Sequence, residues 1–166
     1  LAAIGSALAV RFSTFAPWGT DAGGYVEAAY RWADGRLLEP SPLALWAPWV
    51  WADGAVAVPL GFRPGLPSGT DVSEYPAGLP LLMAAALRLA GEAGPYLVSP
   101  LCFGVLIWCA FGLARRLGGA WCGLIAATLT TTSPLTFGMA VQPMSDVPST
   151  ALWLVALEMA FRPGVG

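Results

Sequence analysis

Residues 95–117 read PYLVSPLCFGVLIWCAFGLARRL, an uncharged run that ends on the pair Arg115-Arg116. A hydrocarbon core of about 30 Å needs about 20 apolar helical residues, and this run is long enough. Working outward, no charge falls between Glu92 and Arg115, between Arg116 and Asp146, or between Asp146 and Glu158. Residues 119–138 and 145–161 therefore read as two further spans. Arg115 and Arg116 lie between the first two spans and Arg162 follows the last, which places those ends on the cytoplasmic side. Span 95–117 then runs inward, 119–138 returns and 145–161 runs inward again.

Composition agrees with a membrane chain. Hydrophobic residues make up 57% and charged residues 11%, against about 25% charged in soluble domains. Lys and His are absent, the eight cations are all Arg, and the net charge of −2 gives no reason to expect nucleic acid as a partner. Cys102, Cys109 and Cys122 sit in apolar runs without metal-ligand spacing, so they read as small packing residues. Leu1 opens inside an apolar run and Gly166 closes just after another, the pattern expected of a fragment. Residues 1–12 are read as part of a first span rather than as a signal peptide, because no small-residue cleavage site with a polar follow-on is visible.

The topology holds if residues 77–91 do not cross. That stretch is short for a span and contains Arg88, so it is expected at the outer surface. The whole region 12–94 becomes an outer loop with an acidic excess, and positions 53 and 71 in it are expected to be accessible from outside. Thr20-Asp21 is a good helix N-cap, an apolar stripe follows at Ala22, Val26, Ala29 and Ala33, and Gly35 is a natural stop. Residues 21–34 are expected to form an amphipathic surface helix. Trp18, Trp32, Trp46, Trp49 and Trp51 suit anchoring in the headgroup zone, with sugar stacking as the other reading. Residues 52–73 are rich in Pro and Gly and read as irregular loop. The expected fold class is all-α: a polytopic transmembrane helical bundle with a long outer first loop carrying short surface helices.

Two acids stand out by position. Asp21 follows the first span and Asp146 lies between two later ones, both at the outer boundary. Such a pair could hold a divalent cation, Mg or Mn, or divide acid–base work. The plainer alternative is that Asp21 caps its helix and Asp146 is a solvated cap of the last one. Glu158 lies inside the last apolar run. It is either functional or paired with Arg162 four residues on.

The order of these features is familiar. A span ends before Gly19-Thr20-Asp21-Ala22-Gly23-Gly24-Tyr25. A long loop leads to Glu74-Tyr75-Pro76-Ala77-Gly78-Leu79-Pro80. One span ends in Leu113-Ala114-Arg115-Arg116-Leu117-Gly118 and another in Ser133-Pro134-Leu135, followed by Met144-Ser145-Asp146. The ordering resembles the N-terminal part of the C-type membrane glycosyltransferases, the superfamily of protein mannosyltransferases and aminoarabinose transferases. The resemblance covers nearly the whole chain, so residues 1–166 are expected to be the N-terminal part of one membrane-embedded domain. It implies transfer of a sugar from a polyprenyl-phosphate donor to a lipid, glycan or protein acceptor, on the outer face of the plasma (inner) membrane. Asp21 matches the family's catalytic acid and Asp146 the acid of its second outer loop. Glu74 before Tyr75-Pro76 matches an acid of the substrate region. With Lys absent, Arg63 stands in for a lysine-based phosphate contact. Two rival classes remain, a transporter and a non-catalytic membrane subunit. A transporter predicts polar or broken helices near mid-membrane.

Overall fold

The structure, a computed structural model, describes residues 1–41, 46 and 58–161. The chain forms two compact units, one of residues 17–95 and one of residues 1–16 with 96–166.

The second of these units is built from α1 (Ala2–Phe12), α4 (Gly94–Thr132, from Tyr96 onward), α5 (Pro134–Ala140) and α6 (Asp146–Ala160). The expected turn between two helices at residues 117–119 is present. Gly119 takes φ +82°, a backbone conformation that side chains with a Cβ disfavour. The chain then doubles back: a Cβ placed on Gly123 would lie 2.9 Å from the Phe111 carbonyl oxygen. The second half of α4 is thus antiparallel to the first. α1 is antiparallel to the first half too, with Ser6 donating to the Pro100 carbonyl at 3.0 Å and Ser13 to the Tyr96 carbonyl at 3.3 Å. The Ser13 contact has a local cause, since Pro100 has no N–H to return to the Tyr96 carbonyl and a neighbouring hydroxyl takes its place. α6 runs parallel to the first half of α4, from Ser99 beside Met144 to Arg116 beside Glu158. Ala9, Phe103, Leu106, Ile107, Ala127, Ala140, Val147 and Ala151 close the core between them.

Helix lengths depart from the expected spans. The helical run Gly78–Thr132 supplies, among the described residues, the one helix long and apolar enough to cross a membrane. The stretch 119–138 is not continuous helix. It stops at Thr132, and Ser133 caps a new helix by accepting from the Thr136 N–H, with Pro134 as its first residue. Proline is well suited to that position because the missing N–H would be unsatisfied there anyway. α6 has 15 residues, about 22 Å at 1.5 Å per residue. Arg162, the expected partner of Glu158, lies outside the described residues. The partner within them is Arg116, whose guanidinium meets Glu158 Oε1 at 3.0 Å.

The unit of residues 17–95 contains α2 (Thr20–Ala33), α3 (Gly78–Ala90) and three short strands, β1 (Glu39–Pro40), β2 (Phe62–Pro64) and β3 (Thr70–Ser73). Both helices lie within a residue or so of their expected bounds. The buried face of α2, with Tyr25, Val26, Ala28 and Ala29, and that of α3, with Leu79, Met83 and Ala84, form the apolar interior of this unit. Arg88 of α3 donates to the Ala33 carbonyl at the end of α2. The strands correct the reading of 52–73 as irregular. They form an antiparallel sheet of order β1-β3-β2, so the all-helical expectation misses a small sheet. Periodicity cannot reveal strands of two to four residues whose pairing is non-local. Position 71 is likewise not accessible as expected, because Asp71 is 1% exposed. Of the tryptophans named above, Trp18 and Trp46 are exposed and Trp32 is half-buried, while Trp49, Trp51 and Asp53 lie outside the described residues.

Candidate active site

Asp21 occupies the first turn of α2, but it does not cap the helix. Gly19 is the N-cap and no side chain accepts a capping hydrogen bond. The carboxylate instead takes a hydrogen bond from across the unit, the Tyr75 phenol donating to Asp21 Oδ1 at 2.7 Å. Asp21 is exposed, and its second oxygen has no hydrogen-bond partner among the described residues.

Tyr75 is held by shape. Its ring lies 4.4 Å from the Tyr25 ring, centroid to centroid. It fills a slot that exists only because Gly24 and Gly61 have no side chains. A Cβ would come within 2.2 Å of the ring at Gly24 and 2.6 Å at Gly61. The Glu74 N–H donates to the Gly61 carbonyl at 3.0 Å, which fixes the loop that delivers the tyrosine. Burial first, and then the hydrogen bond to Asp21, push the Tyr75 pKa up to about 12. The phenol therefore stays protonated at neutral pH and acts as a donor. Such a donor orients one carboxylate oxygen and leaves the other to receive a proton.

This slot yields a direct prediction. Gly24→Ala should expel the Tyr75 ring and break its bond to Asp21 while leaving α2 helical, since alanine is the better helix former. Tyr75 should then titrate nearer the ordinary tyrosine range, read as phenolate absorbance against Tyr75→Phe in the same background. An unchanged titration would mean that the ring is not held there.

The same unit holds an ion network centred on Arg31 that the sequence reading missed. Arg31, buried on α2, pairs with Asp71 of β3, with Glu27 at 3.0 Å and with Glu39 of β1 at 3.0 Å. Its guanidinium lies 4.2 Å from the centre of the Phe62 ring on β2. Glu39 and Asp71 face each other across the strand pair, where like charges repel. The shared arginine resolves that conflict and ties α2 to all three strands. Burial works to lower the Arg31 pKa, but the hydrogen bonds and charges of Asp71 and Glu27 outweigh it, so the value is raised. A weak clue was available: Gly24, Ala28 and Arg31 recur at helical spacing, and all three are buried.

The remaining candidates are placed as follows. Glu74 is exposed beside Tyr75, and Arg63 is exposed on β2. Among the described residues, neither forms an ion pair. Asp146 sits in the first turn of α6, again without a capping bond from its side chain, and belongs to the other unit. Among the described residues no cluster of three or more His, Cys, Asp or Glu could hold a metal ion.

A family model described as dolichyl-phosphate-mannose-protein mannosyltransferase matches residues 75–162 of the 166. The chain belongs to that family. The match begins at Tyr75 and takes in Asp146, whereas Asp21, Arg63 and Glu74 precede it. Membership makes this a glycosyltransferase-like protein and agrees with a helix able to cross a membrane. No curated protein and no solved structure matches the chain.

Proposed function

We propose that the chain is part of an integral membrane glycosyltransferase that moves a sugar from a polyprenyl-phosphate donor to a lipid, glycan or protein acceptor, with Asp21 as the base. The observation that carries this is the exposed Asp21 carboxylate, oriented through one oxygen by the Tyr75 phenol and, among the described residues, without a hydrogen-bond partner at the other. Transfer to a hydroxyl requires the acceptor proton to leave as the bond to the sugar C1 forms, and the bond from C1 to the lipid phosphate breaks in the same step. An ionised carboxylate within hydrogen-bond reach receives that proton. The leaving phosphate carries negative charge that a cation offsets, and Arg63, exposed and outside any ion pair among the described residues, is the proposed source. Glu74 and Tyr75 complete the substrate-facing edge.

In this reading residues 95–117, 119–138 (its helix interrupted at Ser133) and 145–161 are spans and 12–94 is the outer loop, so the active site faces outward at the plasma (inner) membrane. The Arg115-Arg116 pair at the turn of α4 supports that orientation. The test is transfer by the full-length protein in vesicles of both orientations, supplied with a panel of polyprenyl-phosphate sugars. Transfer should occur only where the outer face meets the donor, and added chelator reads out whether Mg or Mn takes part. Inserted, folded protein that transfers no sugar from any donor would leave the non-catalytic subunit, and solute flux without transfer would leave the transporter.

A further inference from the structure

Between the two halves of α4, α5 and α6 lies a cavity of about 400 Å³, within the size range of small-molecule sites. Its walls are mostly apolar, with Leu106, Met139 and Leu154 among them. Four side chains bring polarity: Thr130, Thr136, Thr150 and Asp146. Each hydroxyl proton is already committed within the protein. Thr130 donates to the Ala126 carbonyl at 2.8 Å, Thr150 to the Asp146 carbonyl at 2.7 Å and Thr136 to Ser133 Oγ at 3.0 Å. What these oxygens have left is lone pairs, and an ionised carboxylate offers nothing else. Among the described residues the lining contains no cation and Asp146 forms no ion pair.

We propose that this cavity binds a single-chain amphiphile whose head group donates hydrogen bonds, an alcohol or an alkylammonium, and that it rejects lipid phosphates. The apolar walls take the chain, and the ring of acceptors needs protons from the ligand. A phosphate would bring more acceptors and a second negative charge beside Asp146, with no cation among the described lining residues to offset it. Neither Asp21 nor Tyr75 takes part; Asp146 is the one residue shared with the glycosyl-transfer reading, and the labelling below reads binding without any sugar transfer.

The test uses the full-length protein in phosphatidylcholine nanodiscs. Dodecanol, dodecylamine and dodecyl phosphate, each carrying a diazirine in the chain, are photolysed and the adducts mapped by mass spectrometry. The alcohol or the amine should label Leu106, Met139 or Leu154, and the phosphate should label them at least about tenfold less, the size of one charge-assisted hydrogen bond. The ratio of alcohol to amine tells which head is preferred. Asp146→Asn should lower amine labelling about tenfold and narrow the gap to phosphate. Ala110→Trp should fill the cavity and abolish its labelling, with Ala110→Leu as the milder variant if tryptophan impairs insertion. Labelling of cavity residues no greater than that of the outward-facing Leu152 and Trp153 would overturn the proposal. So would equal labelling by all three heads.

Discussion

Asp21→Asn in the full-length protein is expected to lower transferase activity by about 10²–10⁴-fold, the usual share of general-base catalysis, with insertion and folding near normal. The fold gives asparagine everything except the basic oxygen. Its carbonyl oxygen can still accept from the Tyr75 phenol, and Gly19 rather than residue 21 caps α2. A purely structural Asp21 therefore predicts a mild effect. Asp21→Glu keeps the charge but moves it by one methylene, so partial activity is expected. Tyr75 does not confuse the comparison. Its pKa is raised by folding to about 12, so its contribution to stability is complete below the ordinary value near 10 and is lost only as pH rises through about 12. Assays between about pH 6 and 9 keep the phenol protonated throughout. Near-native transfer by the Asn variant would remove Asp21 as the base and move that role to Glu74 or Asp146.

Arg31→Met is expected to destabilise the unit of residues 17–95 by about 3–5 kcal/mol, the usual cost of removing one partner from a buried ion pair. Met fills a similar volume, so the loss isolates the charge. Asp71, with its side chain 1% exposed, would be left buried beside Glu39 with no cation between them. Arg31→Lys should recover only part of the loss. One ammonium cannot reproduce a guanidinium that reaches three carboxylates and also lies over the Phe62 ring. Arg31→Met combined with Asp71→Leu should regain much of the stability, because no buried charge is then left unpaired. Limited proteolysis of the full-length protein, followed at sites within 17–95 as denaturant increases, measures all three. A cost below about 1 kcal/mol for Arg31→Met would mean that the network does not hold this unit together.

Some of this was written locally in the chain. The uncharged runs, the Arg115-Arg116 pair and the apolar stripe of α2 are patterns of neighbours a few positions apart, and a helix is itself a structure of near neighbours. They determined where α1, α2, α3, the first half of α4 and α6 begin and end, within a few residues, but not the break at Ser133 that ends α4 and starts α5. The position of Asp21 after the first helix also marked it as a candidate. Only the tertiary structure decided its chemistry. The phenol that orients Asp21 is 54 positions away and the acid that Arg31 meets is 40 away. The strands of the small sheet pair residues as distant as Glu39 and Asp71, and the partner of Glu158 is Arg116 on another helix rather than a neighbour on its own. No periodicity encodes such pairs, because each depends on two distant segments reaching one place, and what brings them there is the burial of many apolar side chains at once.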